Sequence, residues 1–217
     1  MNSNDVRQEW AERSGEYSPD YYAYYGPDET SEWIQSALED AVDTDARILE
    51  LGCSSGRHLA HLLDHGYQNL HGIDINEEAF TVMEDAYPEL AEQGTFTVDA
   101  IESFLPALDD DEFDVVYSVE TLQHIHPDDS HVFADIARVA SDLVATVEIE
   151  GPGDDSEEGV PSESDESEAE VNYVDDDVPL YYRNWESVFT ELGLVQTAST
   201  TNRRDTLRAF RPESTHP

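Results

Sequence analysis

Apolar positions along the chain follow two periodicities, and their alternation outlines a layered α/β domain. Short apolar runs bounded by turn residues occupy 47–51, 69–75, 95–98, 113–119 and 143–149, and again 194–199 and 206–211. Each is of strand length and shows no helical period. Helical spacing fills the intervals. Trp33, Ile34, Ala37, Leu38 and Ala41 form one stripe, and Asp28-Glu29-Thr30-Ser31 offers the N-cap of a helix running to Val42. Leu59, Leu62 and Leu63 share a face of a helix over 57–65 closed by Gly66, with His58, His61 and His65 on the opposite face, away from the core. Asn76 caps a helix that turns Ala79, Phe80 and Met83 inward and is limited by Pro88. Phe133, Ile136 and Ala137 mark another helix, and a last one opens at Leu180 and runs to Leu192. Strands alternating with helices predict βαβ units and a parallel sheet. The two final runs, separated by a polar turn, predict a closing hairpin.

Two stretches fall outside that pattern. Residues 1–27 are polar except for Tyr17, Tyr21, Tyr22, Tyr24 and Tyr25, which either pack an arm onto the core or line an acceptor pocket from a lid. Residues 150–177 hold 13 acids in 28 positions, with Gly, Pro and Ser filling much of the rest. That composition cannot bury a core and predicts a disordered or loosely held insertion. The chain therefore divides into an N-terminal arm and helix over 1–43, a domain over 44–211 interrupted by the insertion, and a tail over 212–217.

Arg47 to Leu59 gives the pattern its chemistry: a short strand, a turn bounded by Gly52 and Gly56, and the start of an amphipathic helix. Glycines allow a sharp turn there, and the first helical N–H groups point at whatever ligand the turn cradles. Asp74 lies about twenty residues on, at the end of the second strand, where nucleotide-binding sheets grip a ribose diol. A dinucleotide fingerprint requires G-x-G-x-x-G, and Ser54 occupies its middle glycine. Glu50 two residues before Gly52, followed by G-x-x-x-G, resembles motif I of the class I S-adenosylmethionine-dependent methyltransferases, with Ser54 where that family more often has glycine. The run Phe113 to Val119, followed by Glu120-Thr121-Leu122-Gln123-His124-Ile125, is similar to the family's motif IV strand.

The resemblance implies a Rossmann-like, doubly wound seven-stranded sheet of order 3-2-1-4-5-7-6 with an antiparallel last strand, and S-adenosyl-L-methionine as cofactor. Gly52, Cys53, Ser54 and Gly56 would hold its methionine portion, Glu50 would support that loop, Asp74 would meet the ribose hydroxyls, Asp99 and Ala100 the adenine, and Ser118 the methionine end, with Ile75 a further cofactor-binding candidate. Methyl transfer to an acceptor would follow by in-line displacement, which can rest on proximity and alignment alone. His124, Tyr181 and Tyr25 are the candidates for a general base if the acceptor must lose a proton. Motif IV lacks the Asn-Pro-Pro-Tyr type signature of base and glutamine amino-group methylation. A small-molecule acceptor is favoured, with RNA and protein acceptors left open. A non-catalytic binding protein on the same scaffold and an NAD-dependent oxidoreductase are the alternatives.

Charge changes the picture of the surroundings more than of the fold. Over 217 residues there are 51 acids against ten bases, all arginine, for a formal net charge of -41. Screening in molar salt shortens the Debye length to roughly 3 Å and removes most of the self-repulsion. The chain thus reads as a cytoplasmic protein of an extreme halophile, in which acidity reflects solvation and not the partner. Cys53 is the only cysteine, so neither an intrachain disulfide nor a cysteine-based zinc cluster is available. The stripe His58, His61, His65 and the cluster His124, His126, Asp128, His131 read as structure, and no metal site is expected. No apolar run reaches the eighteen or so residues of a membrane span.

Overall fold

The computed structural model describes residues 1–150, 171–174, 178–202 and 204–213. Three helices precede the first strand: α1 (Ser3–Ala11), α2 (Pro19–Tyr25) and α3 (Glu29–Glu39). There follow β1 (Arg47–Leu51), α4 (Arg57–Asp64), β2 (Asn69–Asp74), α5 (Glu78–Ala86), α6 (Pro88–Gln93), β3 (Thr95–Val98), α7 (Ile101–Phe104) and β4 (Phe113–Val119). The chain continues through α8 (Val132–Val139), β5 (Ala140–Ile149), β6 (Val171–Val174), β7 (Val178–Tyr181), α9 (Trp185–Glu191), β8 (Leu194–Asn202) and β9 (Asp205–Pro212).

Seven strands form one sheet in the order β3-β2-β1-β4-β5-β9-β8, parallel except for β9, which runs antiparallel to both its neighbours. Counted within this sheet, that is 3-2-1-4-5-7-6, as the resemblance implies. Side-chain alternation divides the core into two layers. Ile48, Leu59, Leu62, Leu70, Val115 and Tyr117 pack under α3 and α4 on one face. Leu49, Leu51, Ile73, Val116, Phe133, Trp185 and Phe189 pack under α8 and α9 on the other. A side chain of this size contributes roughly 1.5–3 kcal/mol when fully buried, and these layers fix the strand ends that carry the chemistry.

Several expectations need correction. The arm is largely helical: α1 is capped reciprocally by Asn2 and Asp5, and Ser18 caps α2 with Pro19 at its first position. Helix α3 stops at Glu39, short of Val42. Pro88 does not merely end a helix; its fixed φ starts α6. Strand β5 begins three residues early, at Ala140. The last helix opens at Trp185 under an Asn184 cap, because Leu180 and Tyr181 belong to β7.

The expected insertion is structured at both described ends. Glu150 accepts from Arg208 Nε at 2.7 Å, and Val171–Val174 pairs antiparallel with Val178–Tyr181. Residues 151–170 and 175–177 lie outside the described residues. The histidine stripe on α4 does not face away from the core: His58 is buried, with Nδ1 2.8 Å from Ser31 Oγ, and His61 Nε2 meets Gln35 Oε1 at 2.7 Å. Both partners come from α3, so the stripe is an inter-helix seam.

Candidate active site

The carboxyl ends of β1, β2, β3 and β4 open onto one cavity, roofed by α1 and α2. This is the position that a doubly wound sheet offers, beyond the strand ends beside the reversal of strand order. Glu50, Gly52, Cys53, Ser54, Asp74, Ile75, Asp99, Ala100 and His124 all line it.

Backbone geometry makes the floor. Gly52 has φ +67°, and a Cβ there would run into the Thr121 side chain. Ser54 also adopts the left-handed region, at φ +48°, which explains why glycine suits this position better. Asp74 ties the turn together: Ser54 N donates to its Oδ2 at 2.8 Å and Asn76 N to its Oδ1 at 2.8 Å. Asp99 Oδ1 accepts from Ala100 N at 2.8 Å, and Asp99 N donates to Asp74 O. The acids at the ends of β2 and β3 are thereby locked in mutual register. Two polar atoms on the wall, Ser54 Oγ and Trp10 Nε1, are buried and have no hydrogen-bond partner among the described residues.

Three expected residues lie off the cavity wall, and Ser118 lies off it as well. Gly56 packs its α-carbon against Met83 and Leu90 and starts α4 at φ +81°. Tyr25 is 61% exposed at the outer side of α2, and Tyr181 is buried against His126, ring to ring at 5.6 Å. Ser118 is buried and donates to Glu148 Oε1 at 2.7 Å. His124 reaches the wall, but its Nδ1 faces Pro179 O at 3.1 Å and its Nε2 lies 3.5 Å from Gln123 Nε2. Burial lowers its pKa to about 4, so the ring stays neutral with both nitrogens engaged.

The loop after β4 is held from two sides. Glu148 is fully buried, and it accepts from Thr121 N, Leu122 N and Gln123 N as well as from Ser118. Arg183 donates to Leu122 O at 3.2 Å and to Ile125 O at 2.5 Å. It also stacks on Phe133, 5.1 Å from the ring centroid.

Sequence reasoning missed Glu148, the roof residues Trp10 and Arg13, and Arg57 at the start of α4; of the five tyrosines that it allowed to line a pocket from a lid, Tyr17 and Tyr22 line this one. A glutamate inside the apolar run of β5 was the available signal for the first. Nothing in polar α1 announced that Trp10 would lie 4.6 Å from the His124 ring. Ties to the body hold the roof down: Arg7 pairs with Asp129 at 3.0 Å and Glu102 at 3.4 Å, Asn76 Nδ2 donates to Arg13 O, and Arg57 donates to Gly26 O at the end of α2 at 3.4 Å and lies 5.1 Å from the Tyr22 ring. Among the described residues no group of three or more His, Cys, Asp or Glu is placed to hold a metal ion, and no helix is long and apolar enough to cross a membrane.

Burial makes the acids here weak. Glu50 is raised to about 8 despite the Tyr117 hydroxyl donating to it at 2.9 Å, and Glu120 and Glu148 are each raised to about 7. Desolvation is the first cause in all three. Such groups bind protons more tightly folded than unfolded, so their stabilising contribution is complete below the ordinary carboxyl range and is lost as pH rises through 7 to 8. His58 and His124, both lowered by burial, oppose this only below their unfolded value of 6.5. In constant molar KCl, the urea midpoint is therefore expected to rise as pH falls from about 8.5 to about 6.5. A midpoint that falls over this interval would mean that the three carboxyls are ionised in the folded protein.

Comparison with known proteins agrees with this architecture. Residues 48–142 match the family model described as a methyltransferase domain. A putative methyltransferase of Haloferax volcanii, solved in complex with the Trm112 methyltransferase activator, superposes with TM-score 0.67 at 17% identity, covering 98% of this chain and 100% of that one. A putative S-adenosylmethionine-dependent methyltransferase of Listeria monocytogenes gives 0.64 at 17%, covering 86% and 100%. The 1,6-didemethyltoxoflavin N1-methyltransferase of Burkholderia thailandensis, with bound 1,6-didemethyltoxoflavin and S-adenosylhomocysteine, gives 0.60 at 15%, covering 85% and 77%. Identities this low establish the fold alone. No curated protein matches the chain.

Proposed function

Because the chain is an S-adenosylmethionine-dependent methyltransferase, with S-adenosyl-L-methionine as its cofactor, we propose that it methylates a small molecule taken into the cavity beneath α1 and α2. The observation that carries this reading is the roof. Trp10, Tyr17 and Tyr22 line the cavity above the strand ends and give it an aromatic wall suited to a compact acceptor. The Burkholderia neighbour, whose acceptor is a small heterocycle, supports the same acceptor class.

The residues present fit the cofactor. Glu50 is a buried carboxyl on the wall that, among the described residues, accepts from the Tyr117 hydroxyl and from no cation, suited to the ammonium of the methionine portion. The turn Gly52-Cys53-Ser54 brings backbone and the orphaned Ser54 hydroxyl to the same end. Asp74 and Ile75 border the ribose position, and Asp99 and Ala100 the adenine. Ser118 and Gly56 act one step back, by holding Glu148 and by seating α4. When bound, the cofactor supplies an activated methyl group. The chain's own part is to align the acceptor, exclude water and, where needed, remove a proton.

Replacing Asp74 by alanine removes the ribose partner and the tie to Ser54 N together. Affinity for S-adenosylmethionine, read by calorimetry in molar KCl, is expected to fall by at least about tenfold, the scale of one or two lost hydrogen bonds to a charged group. Unchanged affinity would sink the ribose assignment.

The charge of the chain supports a cytoplasmic, high-salt setting. A second reading concerns assembly: the Haloferax neighbour was solved with a protein activator and matches over nearly the whole chain, which favours an activator subunit as a partner of this protein too.

A further inference from the structure

The sheet has two open edges, and they are not alike. β3 has four residues and β8 has nine, and among the described residues neither pairs with a strand on its outer side. Such an edge presents unpaired N–H and C=O groups, which proteins blunt with charge, proline or bulges. β8 has one bulge, between Gln196 and Ala198, and its pairing with β9 is regular from Ala198 to Asn202. It has no charge and no proline, and residues 197–201 are all exposed. Residues 192–202 are the longest stretch of the sequence without an acid or a base, eleven positions in a chain of which 28% is charged. Leu192 and Val195 add exposed apolar surface to it, at 40% and 49%. Charge returns at the two ends with opposite signs. Glu191 ends α9 just before the stretch, and Arg203-Arg204, the only adjacent bases in the sequence, follow it.

We propose that β8 pairs antiparallel with β8 of a second copy of this chain, across a two-fold axis at its middle residue, Ala198. A two-fold contact matches a surface with itself. The uncharged stretch of one copy therefore meets that of the other, and the acids elsewhere on each chain stay apart. Antiparallel pairing also exchanges the ends, so the arginines after one strand come beside Glu191 before the other. Parallel pairing of the same edges would set acid beside acid and base beside base. Opposite charges across paired strands stabilise and like charges destabilise. Arg204 also lies near Asp205 of its own chain, so the contact rests first on strand pairing through an uncharged surface, and the end charges set its direction. Each copy carries a formal -41. Repulsion between copies fades as salt shortens the Debye length, and the dimer tightens with it.

Light scattering on the full chain at about 100 μM in molar KCl is expected to give twice the mass of one chain. A198K places two lysines on the axis inside the strand pair and is expected to give the mass of one chain. Ala198 is exposed in the single chain, so A198K is expected to keep cooperative unfolding. Cysteine variants locate the contact by a route that does not depend on A198K. Directly opposed residues of antiparallel strands have α-carbons about 4.5–5.5 Å apart, within the reach of a disulfide. A198C is therefore expected to oxidise to a covalent dimer. In V195C the two thiols would lie six residues apart along the paired strands, about 20 Å, and no covalent dimer is expected. The one native thiol, Cys53, is buried, so the wild type serves as the blank. A single-chain mass for the wild type would leave the edge to another protein and overturn the proposal. A dimer mass that survives in A198K, or a V195C variant that cross-links as readily as A198C, would overturn it as well.

Discussion

Replacing Glu148 by alanine is expected to lower the thermal unfolding midpoint by on the order of 10 °C, read by circular dichroism in molar KCl. One buried carboxylate there accepts from the Ser118 hydroxyl and three consecutive backbone N–H groups, at 2.7 to 3.2 Å. Alanine leaves these four donors, three of them in buried bonds, without their acceptor. Loss of one partner from a buried charged network costs about 3–5 kcal/mol, and the size scaling converts that to the midpoint shift. Glutamine separates charge from geometry. Its carbonyl can replace Oε1, which takes three of the bonds, but its NH2 then points at the N–H of Gln123. E148Q should fall between wild type and alanine. A midpoint for E148A within about 2 °C of wild type would show that the loop after β4 is held by Arg183 alone.

The second large effect is expected from salt. At pH 7 the chain carries a formal -41, and among the described residues Arg7, Arg57, Arg138 and Arg208 are already engaged in local ion pairs. In about 0.1 M KCl the Debye length is near 10 Å, so neighbouring surface carboxylates repel one another; at 1 M it is about 3 Å. Cooperative thermal unfolding is expected above about 1 M KCl, with the midpoint climbing through 3 M, and loss of near-ultraviolet circular dichroism is expected below roughly 0.3 M. A midpoint independent of salt over this range would refute a fold adapted to high ionic strength. Potassium sulfate at matched ionic strength distinguishes screening from strengthened apolar burial, since sulfate would then exceed chloride.

The central strands were legible because β1, β4 and β5 are buried on both faces, and both layers of the core use the residues that these runs supplied, whereas the edge strands β3 and β8 stay mostly exposed. The glycine turn and the acids ending β2 and β3 were legible for a different reason: backbone that must turn and ligand groups that must be held leave few residue choices. Much of the remaining site depends on partners far apart in sequence. Whether His58 faces solvent or Ser31 is decided by where α3 lies, not by the helical wheel of α4. Tyr25 and Tyr22 differ by one helical turn, yet only Tyr22 reaches the cavity. Trp10 sits on a helix with a single buried apolar residue, Val6, so no periodic signal placed it over His124. The strand Val171–Val174 is flanked by the acid-rich run that set the reading for its whole neighbourhood, and pairing with Val178–Tyr181 overrode composition.

The roof over the cavity gives salt a second role, in the turnover cycle. Were α1 and α2 to part from the body as acceptor enters or product leaves, the Arg7 ion pairs to Asp129 and Glu102 would be the charged fastening that opens. Ion pairs at half-exposed positions weaken as ionic strength rises, while the apolar layers do not. A medium that tightens the domain would thus loosen its door. Product escape should quicken over concentrations at which global unfolding slows, and the salt optimum for turnover would then record a compromise between holding the chamber shut for chemistry and releasing what was made.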